Sequence, residues 1–160
     1  MVIRQCQKHE LEILIAIARS TDYFRCDEIA LNLMRENLAE FLEKNDEEAA
    51  VLVYEENKEI IGFISYIKIK SNIGAYWLSW LAIRKDKQRK GIGTALLKEL
   101  EKILRGYGAR ILLVDTSGDE TWEPGIRARN FYLKNGFKEA GRIPTYYWDD
   151  DDAIIYYKIL

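Results

Sequence analysis

Apolar positions Leu11, Leu14, Ile15 and Ala18 recur at helical spacing, and predict a helix early in the chain. A second helix is predicted over about Cys26 to Lys44, with Ile29, Leu33, Leu38 and Phe41/Leu42 turned inward. The period then changes. Ala50 to Glu55 and Glu59 to Lys70 are rich in β-branched and aromatic residues, and Glu56-Asn57-Lys58 between them reads as a tight turn, so the pair predicts a β-hairpin. Ile61, Phe63, Ile67 and Ile69 are expected on one face of its second strand. Asn72 to Gly74 makes the next turn, and Tyr76 to Ile83 is apolar enough for a central strand.

From Gly91 to Arg105 the helical period returns. Ile92, Ala95, Leu96, Leu100, Ile103 and Leu104 form a stripe opposite Lys98, Glu101, Lys102 and Arg105. Gly106 and Gly108 stop this helix. Arg110 to Thr116 reads as a buried strand, Gly125 to Asn135 as a helix ended by Gly136, and Phe137 to Ile143 with Ala153 to Ile159 as two antiparallel strands joined by an acidic loop around Asp149. With a first strand ahead of the helices, the order is β, α, α, three strands, α, β, α, β, β. That is an α/β (α+β mixed sheet) class with helices on both faces.

Composition narrows the setting. The 160 residues are 48% hydrophobic and 31% charged, with two prolines and no repeat or Pro/Gly-rich linker, which fits one domain over 1–160 rather than a disordered chain. No apolar run approaches the length of a membrane span. Met1 to Cys6 lacks the apolar core of a signal peptide, so a cytoplasmic protein is expected. Lys and Arg number 24 against 26 Asp and Glu, a net charge of −2, which gives no global drive toward nucleic acid or membrane. Cys6, Cys26 and the single His9 are too few and too scattered for a zinc site, and no functional metal is expected.

The stretch Leu81 to Leu97 carries the most chemistry. A buried strand ends at Ile83, five of the seven residues from Arg84 to Lys90 are basic, and Gly91-Ile92-Gly93-Thr94 opens an amphipathic helix. The first N–H groups of a helix are unpaired and sit at the positive end of its dipole. A strand, a basic glycine-containing loop and a helix start therefore form a phosphate site. No GxxxxGK[ST] run exists, and Leu96 stands where a dinucleotide fingerprint needs its third glycine. On these glycines alone, a plain strand–loop–helix turn with a solvated basic loop is an equal alternative.

Gln88-Arg89-Lys90-Gly91-Ile92-Gly93 resembles the Q/R-x-x-G-x-G/A signature of the GNAT acetyltransferase superfamily, with Leu81-Ala82-Ile83 and Thr94-Ala95-Leu96-Leu97 around it. Asn130-Phe131-Tyr132-Leu133-Lys134-Asn135-Gly136-Phe137 resembles its N-x-Y-x-x-x-G-F corner. The resemblance implies the GNAT acyl-CoA N-acyltransferase fold, a central, mostly antiparallel sheet flanked by helices. It implies acetyl-CoA as cofactor. Backbone N–H groups from Arg89, Lys90, Gly91, Ile92, Gly93 and Thr94, with Gln88 leading in, would hold the pyrophosphate. Leu81, Ala82 and Ile83 would pair with the pantetheine arm. Asn130 would touch the arm, Tyr132 would stand at the thioester sulfur as proton donor, and the Ala82 N–H would be the oxyanion donor.

The amine must be neutral to attack, and an alkyl amine resembles lysine with a pKa of about 10.4. Many members of the family place a glutamate on the strand before the turn, whereas Tyr76 to Ile83 contains no acid. Asp115, Asp119, Glu120, Glu123 or a water relay remain as routes for the proton. Asp115 to Pro124, Arg127 and Ile143 to Tyr147 further resemble a bacterial and archaeal subgroup of unassigned acceptor, with Asp115 for its Glu and Trp122 for its Tyr. Asp115, Glu120, Trp122, Tyr146 and Tyr147 are candidate acceptor-binding residues. Trp148 is a further aromatic wall candidate, and Asp149 to Asp152 could draw a cation or form an exposed acidic tip.

The resemblance thus implies an N-acetyltransferase acting on a primary amine of a small molecule or peptide by direct attack, since Cys6 and Cys26 lie outside the motifs. A non-catalytic acyl-CoA-binding or sensing module and a nucleotide-binding regulator are the competing classes. The basic run is short and not interleaved with aromatics, which favours the cofactor's phosphates over nucleic acid. The family's fold also leaves a homodimer open.

Overall fold

The computed structural model describes residues 1–160. Its elements run β1 (Val2–Gln5), α1 (Leu11–Ser20), α2 (Glu28–Lys44), β2 (Ala49–Glu56), β3 (Glu59–Lys68), β4 (Ala75–Ile83), α3 (Ile92–Gly106), β5 (Ile111–Ser117), α4 (Glu123–Lys134), β6 (Lys138–Trp148) and β7 (Asp151–Ile159), with single 3-10 turns at Lys8–Glu10 and Lys85–Lys87. Seven strands form one sheet in the order β1-β2-β3-β4-β5-β7-β6. Every pairing is antiparallel except β4 with β5. The class and element order are those expected from the pattern.

Two apolar layers sandwich the sheet. One holds α1 and α2, through Leu14, Ala18, Leu31, Met34 and Leu38, against Val51, Val53 and Phe63. The other holds α3 through Leu96, Leu97, Leu100 and Leu104, and α4 through Tyr132, against Ile64, Leu78, Leu112 and Val114. Each fully buried aliphatic side chain contributes about 1.5–3 kcal/mol. Asp27 caps α2 by accepting from the Ala30 N–H at 2.9 Å. The β2–β3 hairpin closes on Asn57 and Lys58, both with positive φ, at 51° and 64°, the geometry that matches the strands' twist in a two-residue turn.

Three expectations are corrected. Ile29 and Leu33 are not inward: they are 58% and 51% exposed, because the buried stripe of α2 is Leu31, Met34, Leu38, Phe41 and Leu42. Ile61 and Phe63 do not share a face. A register shift opposite Tyr54/Glu55 bulges β3 at Ile61 and sends Ile61 to the α3 layer and Phe63 to the α1/α2 layer. Glu101 is not on a solvated face but buried, paired with Lys158 of β7 at 2.5 Å.

Candidate active site

The sheet is split at its centre. β4 pairs with β5 only at Ala75, Tyr76 and Trp77, opposite Ile111, Leu112 and Leu113. Beyond that the two strands part, and a cleft of about 1240 Å³ opens between them. A bulge in β4 prepares its edge. Tyr66 faces Leu78 and Ile64 faces Leu81, so β4 spends one residue more than β3 over this step. Ser65 Oγ fills the irregularity, accepting from the Trp80 N–H at 3.0 Å.

The bulge decides which backbone groups face the cleft. The Trp80 N–H points to β3, and the Arg84 N–H donates to the Ile61 carbonyl, also on β3, at 2.8 Å. Strand alternation then turns the Ala82 N–H toward β3 as well, and those of Leu81 and Ile83 toward the gap. Gln88 Nε2, from the loop beyond, donates to the Ile83 carbonyl at 2.9 Å. The Ala82 N–H, expected to face the cleft, is therefore turned to β3, and the Leu81 N–H takes the gap-facing position, because the extra bulge residue shifts the alternation by one.

One end of the cleft is a helix start with open backbone donors. Arg89 and Gly91 have φ of 63° and 80°, and α3 starts at Gly91 with no side-chain cap. The N–H groups of Ile92, Gly93 and Thr94 thus remain without an acceptor in the chain, at the positive end of α3. A Cβ on Gly93 would stand 3.1 Å from the Phe131 ring, so glycine lets α3 and α4 approach here. Leu81, Ala82, Ile83, Gln88, Arg89, Gly91, Ile92, Gly93, Thr94, Asn130 and Tyr132 all line the cleft, and Lys90 does not. The basic run is largely spent within the chain. Arg84 pairs with Asp86 and Glu59, Lys85 with Asp22 and Lys87 with Glu56, which leaves Arg89 as the cleft-lining cation of the run without an ion pair.

Tyr132 lines the cleft from α4. Its ring packs among Phe131, Phe137 and Tyr156 at centroid distances of 5.4, 5.5 and 6.2 Å. Its hydroxyl has no hydrogen-bond partner in the chain, and burial holds the phenol well above its ordinary pKa, helped by the charge of Asp115.

The other end is aromatic with a carboxylate at its centre. Trp77 and Leu113 are register partners on one face of the sheet, and Asp115 follows two residues on. Trp77 Nε1 donates to Asp115 Oδ1 at 2.8 Å, and the Tyr147 hydroxyl makes a short bond to Oδ2. No cation pairs with this carboxylate. Burial, followed by the charge of Asp115, keeps the Tyr147 phenol above its ordinary range. Trp122 and Tyr146 line the same end with Asp115 and Tyr147, as does Trp148.

Glu120 is exposed and outside the cleft. Asp119 is turned into its own loop, accepting from the Thr121 N–H and Oγ1. Glu123 is exposed beside Arg127. Of the four acids considered for the proton, Asp115 alone lines the cleft. The acidic tip also divides. Asp152 binds Arg142 and the Thr145 N–H, while Asp151 turns in to accept from Ser117 Oγ at 2.5 Å. No three His, Cys, Asp or Glu side chains gather as a metal group.

Sequence reasoning missed Tyr23, Phe24, Trp77, Trp80, Ile29 and Leu33, which also line this end. Tyr23 joins the α1–α2 connection to β5 by bonding Thr116 Oγ1 at 3.0 Å and accepting the Ser117 N–H at 3.1 Å. A signal existed for α2: Ile29, Leu33 and Asn37 recur at i, i+4, i+8, a second face beside the buried stripe.

A family model described as an acetyltransferase (GNAT) domain matches residues 47–139, more than half of the chain. A Methanocaldococcus jannaschii protein named as an uncharacterized N-acetyltransferase is 34% identical over 95 residues, covering 59% of this chain and 58% of that one, so the chain spans little more than half of that relative's length. A Desulfovibrio desulfuricans protein described as a GNAT-family acetyltransferase superposes with a TM-score of 0.87 and 26% identity, over 99% of this chain and 98% of that one. The PaiA N-acetyltransferase of Thermoplasma acidophilum, solved in complex with coenzyme A, superposes with a TM-score of 0.77 and 23% identity, over 99% and 98% of the two chains, a likeness of fold.

Proposed function

Because the chain belongs to the GNAT acetyltransferase family, we propose that it transfers acetyl from acetyl-CoA to a primary amine of a small molecule or peptide by direct attack. One observation carries this reading. The parted β4 and β5 place free backbone donors between an uncapped helix start on one side and an unpaired carboxylate among aromatic rings on the other.

The residues present fit the cofactor. The N–H groups of Ile92, Gly93 and Thr94, with Arg89 beside them, suit a pyrophosphate, and the edge of Leu81 and Ile83 suits an extended amide-bearing arm. Acetyl-CoA, when bound, supplies the activated acetyl thioester. The Leu81 N–H faces the gap as donor to the oxygen that gathers charge during transfer, an interaction fixed before reaction begins. Asp115, held by Trp77 and Tyr147, receives the acceptor's ammonium and orients it, and the ammonium's extra proton leaves to water. Tyr132, kept protonated by burial, gives its proton to the departing sulfur and regains one from the acylated nitrogen. Cys26 is exposed outside the cleft and Cys6 is buried under α1, so neither is placed to carry an acyl group.

The test is calorimetric titration with acetyl-CoA against ATP and NAD, followed by an amine screen read as CoA release. Selective micromolar binding with turnover supports the enzyme. Binding without turnover of any amine would favour a sensing module, and preference for ATP or NAD would refute both.

A further inference from the structure

The acceptor end of the cleft has an unusual balance of polar and apolar groups. Its wall is supplied by Phe24, Ile29, Leu33, Trp80, Trp122 and Tyr146, and α2 holds Ile29 and Leu33 out of the core to reach it. Several polar side chains there are spent on one another. Asn37 Oδ1 accepts from Trp80 Nε1 at 3.2 Å, the Tyr23 hydroxyl pairs with Thr116, and Ser117 Oγ donates to Asp151. The cleft as a whole is lined by four acids (Asp22, Asp27, Asp115, Asp151) and four bases (Lys87, Arg89, Arg127, Lys134), with Arg89 at the end where α3 begins. Asp22 is neutralised by Lys85 at 2.8 Å and Arg127 at 3.3 Å, and Asp27 caps α2. Asp115 and Asp151 both lack a cation. Asp115 differs in its setting: its donors are the indole of Trp77 and the phenol of Tyr147, and a further aromatic neighbour, Tyr146, has its phenol pushed up chiefly by the Asp115 charge.

Resting on the transfer reading above, we propose that the acceptor is a primary amine on an aromatic or aliphatic body, with a single ammonium seated on Asp115. A carboxylate ringed by aromatic faces binds one ammonium through charge and cation–π attraction together. The apolar wall then buries the body of the molecule, as small-ligand pockets with few convergent polar groups do. A hydroxyl-rich amino sugar would exchange many hydrogen bonds to water for few at a wall made mostly of apolar side chains, and a polyamine would place its further ammonium groups against that same wall.

The probes are 2-phenylethylamine, spermidine and glucosamine, each titrated by calorimetry into the protein saturated with CoA, and each assayed for turnover with acetyl-CoA. Phenylethylamine is expected to bind at least ten-fold more tightly than the other two. Leu33→Asn, an exposed change that spares the core, is expected to weaken it at least five-fold while leaving the affinity for CoA unchanged. Equal or tighter binding of spermidine or glucosamine overturns the proposal, as does an unaltered phenylethylamine affinity in the Leu33 variant, or no binding of phenylethylamine. Turnover of spermidine alone would overturn the acceptor class and leave acetyl transfer standing. Tight phenylethylamine binding without CoA release would refute transfer and leave the pocket assignment intact.

Discussion

Replacing Tyr132 with Phe separates chemistry from architecture. The change removes one hydroxyl and keeps the ring that packs among Phe131, Phe137 and Tyr156. That hydroxyl has no partner in the chain, so no buried group is orphaned and no cavity opens. Stability should change by no more than about 0.5 kcal/mol, a shift in Tm of roughly 1–2 °C for a chain of this size. A positioned general acid is worth about 10²–10⁴ in rate, or about 3–5 kcal/mol of barrier. The expected result is therefore a fall in kcat of at least 100-fold with an unchanged Tm and an unchanged KM for acetyl-CoA. Loss of thioester absorbance follows the reaction without a thiol reagent. Burial holds the Tyr132 phenol above its ordinary pKa, so ionisation of this group should not reduce kcat up to about pH 10. A variant that keeps half or more of wild-type kcat would refute the role. A parallel fall of kcat and Tm would make the residue a packing group.

Three further outcomes can be checked directly. Gly91→Ala forces an L side chain into a φ of 80° with no clash to absorb, so it should cost about 1–2 kcal/mol and lower Tm by roughly 2–8 °C in a thermal scan. Glu10, held by Arg4 at 2.8 Å, has its pKa lowered to about 2, first by that bond. Its folded value lies below its unfolded one, so its stabilisation, of order 2 kcal/mol, is complete above about pH 4.5 and is lost as pH falls toward 2. Denaturant titrations should show Glu10→Gln flattening that slope. Cys6 is buried, with its thiol pushed up to about 12 chiefly by desolvation, whereas Cys26 is exposed. A thiol reagent at pH 7.5 should label one cysteine in the native protein, at position 26, and two after unfolding.

Much of the frame was legible because it rests on local signals. The stripe from Ile92 to Leu104, the glycines at 91 and 93 and the apolar β4 each report on a neighbour a few residues away. What escaped depends on partners distant in sequence. The β4 bulge that exchanges Ala82 for Leu81 is built on Ser65, fifteen residues earlier. Asp115 was one candidate, at a strand end, beside three acids of the following loop. Its distinction comes from Trp77 and Tyr147, 38 and 32 residues away, brought to it by a parallel register and a hairpin that no pattern specifies. Glu101 looked solvated because its partner, Lys158, belongs to a strand 57 residues on. Ile29 and Leu33 looked like core because apolar residues on a helix usually are; here they serve a cleft instead.

The division between β4 and β5 also falls at a division in the chain itself. Residues 2–83 build every strand on one side of the sheet's seam, and residues 111–159 every strand on the other. During synthesis, β1 to β4 can therefore assemble as a complete antiparallel unit while β5 is still unmade. Its newest edge is then Tyr76-Trp77-Leu78-Ser79-Trp80-Leu81-Ala82-Ile83, an apolar strand with one row of hydrogen-bonding groups unmet. Such an edge is a template for another chain. Even the finished sheet covers only Tyr76 and Trp77 of that edge. The strand that the reading above places at the centre of recognition is thus also the one at which a nascent copy most readily sticks to its neighbour.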